Sequence, residues 1–162
     1  MNVQQKEKGF TIIEVVLVLA IAGLIFLMVF IALPALQRSQ RDSQRKNDLS
    51  RAQTALTNYS SVNRGNIPDP STDTNLQSFT STFLKASGDS FADPSGNDYI
   101  WDTKTSVVGT ALPAEFNANS PKIYYTKSAK CTDNGAITAS AGSRIAAMQM
   151  VLEGGGVACV NN

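Results

Sequence analysis

The chain has no histidine, only two cysteines and a single tryptophan among its 162 residues. Without histidine it lacks the side chain that most often serves as a general base or metal ligand near neutral pH. No serine or cysteine is flanked by a recognisable base. No glycine-rich segment has phosphate-binding spacing, and Gly154-Gly155-Gly156 lacks the lysine that follows in a P-loop. These absences argue against an enzyme and give no reason to expect a cofactor. Charge is also missing from a long stretch: residues 15–36 contain no Asp, Glu, Lys or Arg over 22 positions. The overall formal charge of +1 points to no partner.

Cys131 and Cys159 both lie in the polar C-terminal region. With no other metal-type ligands close by, a disulfide is favoured over a zinc site. The alternative is two unpaired core thiols. A bridge would place this region in an oxidising compartment. It would stabilise the fold by about 3–4 kcal/mol in the chain-entropy description.

Two regions differ too much to share a job. Residues 10–36 are almost wholly apolar, whereas residues 60–162 are rich in Ser, Thr, Asn, Gly and Asp. As a helix, the uncharged run would reach about 33 Å at ~1.5 Å per residue, enough to cross a hydrocarbon core of about 30 Å. A conventional secretory signal has a shorter apolar stretch and a small-residue cleavage site. Here Gln37-Arg38-Ser39-Gln40 follows instead, so the run reads as an anchor that stays with the protein. Residues 37–51 hold five basic side chains (Arg38, Arg41, Arg45, Lys46, Arg51) and two acidic ones (Asp42, Asp48), whereas residues 65–162 hold six basic and nine acidic. The positive-inside rule alone would keep the polar region in the cytoplasm. The cysteines and the Ser/Thr-rich composition place it outside, and outside is the reading adopted. The basic rod and acidic head either attract neighbouring subunits or are simply solvated, since exposed charges are screened over roughly 8–10 Å.

Glu14 stands alone at the head of the apolar run. A carboxylate near a bilayer is costly and usually functional; the plainer reading is an interfacial residue near the positive end of a helix dipole. Lys8-Gly9-Phe10-Thr11-Ile12-Ile13-Glu14 followed by an apolar helix resembles the leader of type IV pilins and pseudopilins. The resemblance is strong over about residues 6–34 and implies several things. A membrane prepilin peptidase would cut between Gly9 and Phe10 and methylate the new amine of Phe10. Glu14 would pair in the fibre with the Phe10 amine of a neighbouring subunit and so set register. Gly23 and Pro34 would bound a stretch, residues 23–34, that loses helicity on assembly. Pro34 lies about one turn later than the family's usual proline, which blurs the far end of that stretch. A plain bend at the membrane exit is the alternative.

Past Pro34 the helix is expected to continue. Leu49, Ala52, Leu56 and Tyr59 recur at spacings of three and four, one face of an amphipathic helix. Residues 37–48 show no such stripe and are expected to form an exposed neck. Arg64-Gly65-Asn66-Ile67-Pro68 is the stop signal. Residues 74–86 fit a short helix with Leu76, Phe79, Phe83 and Leu84 inward. The oxygens of Asp89, Asp93, Asn97 and Asp98 lack EF-hand spacing and are explained by turn chemistry, so no metal is expected. Strands are expected at residues 99–101, 122–127, 144–152 and 157–160, the last two forming a hairpin around the triple glycine. Cys131 would tie the end of the 122–127 strand to Cys159.

The expected architecture is α+β, a type IV pilin fold with a long N-terminal helix, its hydrophobic half protruding, packed on a small antiparallel sheet. The expected divisions are a leader (1–9), a transmembrane and polymerisation helix (10–36), its amphipathic continuation (37–64) and a head with the cysteine-bounded region (65–162). By resemblance the partners are further copies in a helical homopolymer, the prepilin peptidase, an assembly platform in the inner membrane, and a surface or host-cell receptor. The precursor would be a single-pass inner-membrane protein with its C-terminal domain outside, and the mature form an extracellular fibre. A type II secretion pseudopilin, a minor pilin and a DNA-uptake pilin are the close alternatives. The acidic head argues against nucleic acid. A membrane-anchored binding protein that never polymerises is the alternative of another class.

Overall fold

A computed structural model describes residues 9–70, 73–103, 112 and 116–162; residues 1–8 of the expected leader lie outside that set. The chain divides into two compact units, Met1–Gln37 and Arg38–Asn162. The helix α1, Ile12–Val62, supplies residues to both.

In the first unit α1 runs without a break through Gly23 and Pro34. Proline has no N–H to give the carbonyl of Phe30, yet the surrounding turns remain helical. The apolar side chains are exposed on all sides, Phe10 at 89%, Leu24 at 70% and Phe30 at 73%. A helix apolar all round needs an apolar surrounding. Among the described residues this is the one helix with the length and hydropathy to cross a membrane.

The second unit is α+β. Beyond α1 its described residues form α2 (Asp73–Phe79), which continues as a π-helical turn over Thr80–Leu84, and six strands: β1 (Ile100–Asp102), β2 (Lys122–Lys127), β3 (Ala129–Cys131), β4 (Ile137–Ala139), β5 (Ala146–Val151) and β6 (Val157–Asn161). The main sheet has the order β1-β2-β5-β6, and β3 and β4 form a separate ladder. The pairs β2 with β5, β5 with β6 and β3 with β4 are antiparallel, as expected for this sheet, but β1 runs parallel to β2. The expected hairpin of residues 144–152 and 157–160 is present, Val151 facing Val157 across the triple-glycine turn.

Every residue of β5 is buried, which explains why its sequence is apolar at every position but Gln149 rather than alternating. Ala146, Met148 and Met150 join the main core with Leu49, Ala52, Ala55 and Leu56 of α1. Ala147 joins a smaller cluster with Ala129 and Ile137. On the same side Gln149 donates its Nε2 to the Gly135 carbonyl at 2.7 Å. Leu76, Phe79 and Leu84 close the main core and Phe83 is half-buried; Tyr59 meets the rings of Phe79 and Phe83 edge-on.

Helix α1 stops where expected. Arg64 takes a left-handed conformation (φ 56°), and the Gly65 amide donates back to the Ser60 carbonyl at 2.7 Å, the longer bond of a Schellman closure. The disulfide between Cys131 and Cys159 is formed. Its first cysteine is not at the end of β2, as expected, but in β3. Ser128, at φ 57°, breaks the chain between them and sends β3 off to pair with β4.

The expected exposed neck is a second correction. Asp42 and Arg45 are buried, Arg45 with zero exposure. Arg45 grips Asp93 through both carboxylate oxygens, at 2.7 and 3.1 Å, and reaches Asp42 at 2.9 Å and Glu153 at 3.1 Å. Its guanidinium also lies 3.9 Å from the centre of the Phe116 ring, a cation–π contact. Arg41 grips Glu153 through two bonds of 2.8 and 2.6 Å. Asp42 in turn accepts the amides of Glu153 and Gly154 at 2.9 and 2.7 Å. A Cβ at position 154 would sit 2.9 Å from that Asp42 oxygen, so a larger residue there would have to displace the carboxylate. Further along, Arg51 pairs with Asp48 and Asp89, and the Tyr99 hydroxyl donates to Asp48 at 3.0 Å. The basic stretch and the acidic head therefore meet inside one chain.

These contacts set two expectations. Arg45→Ala strands the Asp93 carboxylate in the interior, and breaking a buried pair from one side typically costs about 3–5 kcal/mol. Denaturant unfolding of the full chain in detergent should show that loss. Hydrogen bonds from Arg41, and next from Arg45, hold the Glu153 carboxyl down at about 2 against its partial burial. Burial would raise Asp93, but bonds from Arg45 and Ser95 outweigh it and keep it below the ordinary range. Both groups bind protons less readily folded than unfolded. Their stabilisation is therefore complete above about pH 5 and is lost as pH falls toward about 2. Glu153→Gln should lower stability at pH 7 and flatten part of that acid slope in a pH series of unfolding midpoints.

Candidate functional site

The expected processing and assembly residues lie together at the start of the first unit. Gly9, Phe10 and Thr11 are outside the helix and exposed, and α1 begins at Ile12. The Thr11 carbonyl accepts the first helical amides, Glu14 at 3.1 Å and Val15 at 3.4 Å. That makes Thr11 the N-cap.

The side chains complete a reciprocal arrangement. The Thr11 hydroxyl oxygen accepts the Glu14 amide at 3.4 Å, while Glu14 Oε2 accepts the Thr11 amide at 2.9 Å and the Thr11 hydroxyl at 2.7 Å. This is a capping box, Thr at the cap and Glu three residues on, which satisfies amides that the first turn leaves unpaired. The Thr-x-x-Glu spacing was present in the sequence as a signal. The isolation of Glu14 in apolar surroundings drew attention to its charge rather than to its hydrogen-bonding geometry.

Gly9 has ordinary backbone geometry, outside the positive-φ set, and a Cβ built on it would meet nothing within 4 Å. Among the described residues, nothing therefore demands glycine at that position. Gly23 is likewise in open space within α1, and Pro34 lies eleven positions further along the same helix. Gly23 and Pro34 thus do not join the cluster at the helix start. Cys131 and Cys159 belong to the second unit and serve its fold.

The polar side chains of Asp89, Asp93, Asn97 and Asp98 each have a partner within the chain. Asp89 pairs with Arg51, Asp93 with Arg45 and Asp98 with Lys85, while the Asn97 side chain donates to the Ala118 carbonyl. Among the described residues no cluster of His, Cys, Asp and Glu is arranged to hold a metal.

The N-terminal segment matches the prokaryotic N-terminal methylation motif over residues 4–30. No curated protein and no solved structure matches the chain. The match spans Gly9, Phe10, Thr11, Glu14 and Gly23 and stops short of Pro34. Residues 4–30 are thus the class III signal peptide of type IV pilins, and the motif supports reading the chain that carries it as a type IV pilin-like or pseudopilin precursor.

Proposed function

We propose that the mature chain is a structural subunit of a type IV pilus, built into an extracellular fibre that serves attachment, twitching motility or both. The observation that carries this reading is the register of the matched motif: Gly9, then Phe10, then Glu14, ahead of 22 uncharged residues. Gly9 is free of any steric need within the chain, which suits a residue selected by an outside enzyme. A prepilin peptidase would cut after it and methylate the Phe10 amine. The role is structural rather than catalytic, and the absence of histidine supports that.

Polymerisation would move apolar helices from lipid into a bundle, so apolar burial is exchanged rather than created. The assembly platform of the inner membrane would supply the driving energy by ATP hydrolysis. Within an apolar shaft, the Phe10 ammonium of one subunit and Glu14 of its neighbour offset much of each other's desolvation. A misaligned subunit would leave both unpaired, so the pair acts on register more than on stability. The stretch from Gly23 to Pro34 is the part of α1 expected to unwind on entry, because glycine and proline are the weakest helix formers.

A pseudopilin or a minor pilin would use the same N-terminal chemistry. A DNA-uptake pilin would need free cations along an exposed stripe. Arg38, Arg41, Arg45 and Arg51 are instead drawn to carboxylates of the same chain, which weighs against that version. An anchored binding protein would retain residues 1–9.

Intact-mass measurement on material from the producing cells separates these readings. A pilin or pseudopilin begins at Phe10 with one added methyl group, and a chain still starting at Met1 refutes the proposal. Glu14→Ala should still be cut after Gly9 yet yield no fibres by electron microscopy. Normal fibres from that variant would remove Glu14 from assembly.

A further inference from the structure

The residue types of positions 4–8 would not by themselves end a helix running back from Ile12. Gln4, Gln5, Lys6, Glu7 and Lys8 all favour helix, and none is proline or β-branched. Two features oppose such propagation. One is Gly9, a poor helix residue. The other is the capping box, in which Thr11 holds its own amide on Glu14 and its hydroxyl against the Glu14 amide. A capped start fixes where helical hydrogen bonding begins, and here it begins at the Thr11 carbonyl. Gly9 and Phe10 are left outside, with Phe10 89% exposed.

That placement matters for cutting. Inside a helix, a peptide carbonyl is bonded to an amide four residues on and lies within a cylinder about 10–12 Å wide. An endopeptidase needs that carbonyl free and approachable by water. Hydrolysis adds the water oxygen to the Gly9 carbonyl carbon and breaks its bond to the Phe10 nitrogen. The products are a Gly9 carboxylate and a Phe10 ammonium, the water's hydrogens ending on the nitrogen.

We infer that Thr11 is a positioning residue for this cleavage: together with Glu14 it closes the helix at Ile12 and keeps the bond between Gly9 and Phe10 outside it. The inference rests on the reading of residues 4–30 as a processed leader. It gives Glu14 two separable roles. Holding the box needs only a hydrogen-bonding side chain, and glutamine serves as well as glutamate there. Pairing with an ammonium in the fibre needs the charge. Each half of the box can cap in part without the other, so the two residues should be redundant for cutting.

The test measures cleavage rate and cut site by mass spectrometry, using purified full-length precursor in detergent micelles with the prepilin peptidase. Working in micelles keeps membrane insertion out of the rate. Thr11→Val and Glu14→Ala should each slow cutting by less than about threefold. The double variant should slow it by about tenfold or more, in line with loss of a whole cap. Thr11→Ser combined with Glu14→Ala should recover the rate of Glu14→Ala alone. Glu14→Gln should be cut at a rate above that of Glu14→Ala while still failing to form fibres. Equal rates for the wild-type chain and the double variant, at the same bond, would overturn the role of Thr11. So would Thr11→Ser failing to restore the rate. An uncut wild-type chain would instead overturn the processed-leader reading itself.

Discussion

The second unit depends on one guanidinium with no access to water. Arg45 is wholly buried, and removing a cation from water costs several kcal/mol unless nearly all its donors are met. Here Asp93 takes two of its bonds, Asp42 and Glu153 one each, and Phe116 covers its face. A buried pair of this kind contributes less to net stability than an apolar cluster of the same volume would. Its effect is on position. Arg45 is reached from the turn around Asp93 and from the turn at Glu153, so a helix displaced by one residue loses both at once. The Asp42 carboxylate adds the reverse contact, seated on the amides of Glu153 and Gly154. The contact runs both ways, helix cation into head carboxylates and helix carboxylate onto head amides, and fixes α1 from 38 to 62 in rotation and in height.

This cluster also marks the boundary of what the sequence disclosed. Leu49, Ala52, Leu56 and Tyr59 announced the packed face of α1 through apolar spacing. The same face continues upstream at the same three- and four-residue steps through Asp42, Arg45 and Asp48, but in charged residues. A search for apolar periodicity takes such residues as solvent-facing by default. Only the partners, more than a hundred positions away at Glu153 and nearly fifty away at Asp93, turn that face inward. The four strands of the main sheet were legible because turn residues bounded them, and residues 144–152 were separable from a helix by the triple glycine that follows; the short β3–β4 ladder was not foreseen. The parallel β1 and the break at Ser128 were not legible. Direction depends on a connection longer than any local signal, and a serine at positive φ carries no marker in its residue type.

At the N-terminus the balance was different. The motif over residues 4–30 is a matter of register, and register is visible in a sequence. What the sequence also contained, and what the geometry made plain, is that the pair of polar residues Thr11 and Glu14 at the head of an apolar run forms a helix cap. Thr11 and Glu14 are three apart, the only spacing at which the two side chains can each reach the other's amide. The chemistry of the helix start was thus readable from two letters, provided hydrogen bonding was considered beside charge.

The two carboxylate arrangements differ in a way that bears on assembly. Glu153 and Asp93 have both their hydrogen bonds and their countercharges within one chain. Glu14 has hydrogen bonds only: among the described residues its carboxylate is met by the amide and hydroxyl of Thr11 and by no cation. Hydrogen bonds from neutral donors satisfy lone pairs but leave the formal charge in place. In water or at a headgroup layer that charge is tolerable. In an apolar bundle it is not, since the attraction that would compensate desolvation must come from a cation. The chain carries no cation of its own between Glu14 and Arg38. Removal of residues 1–9 would create one, four residues before Glu14, on every copy. In the head the carboxylates meet their countercharges within the chain, whereas among the described residues the Glu14 carboxylate has hydrogen bonds and no countercharge. In the proposed fibre, a processed amine of the same or a neighbouring copy would be the simplest group to supply it.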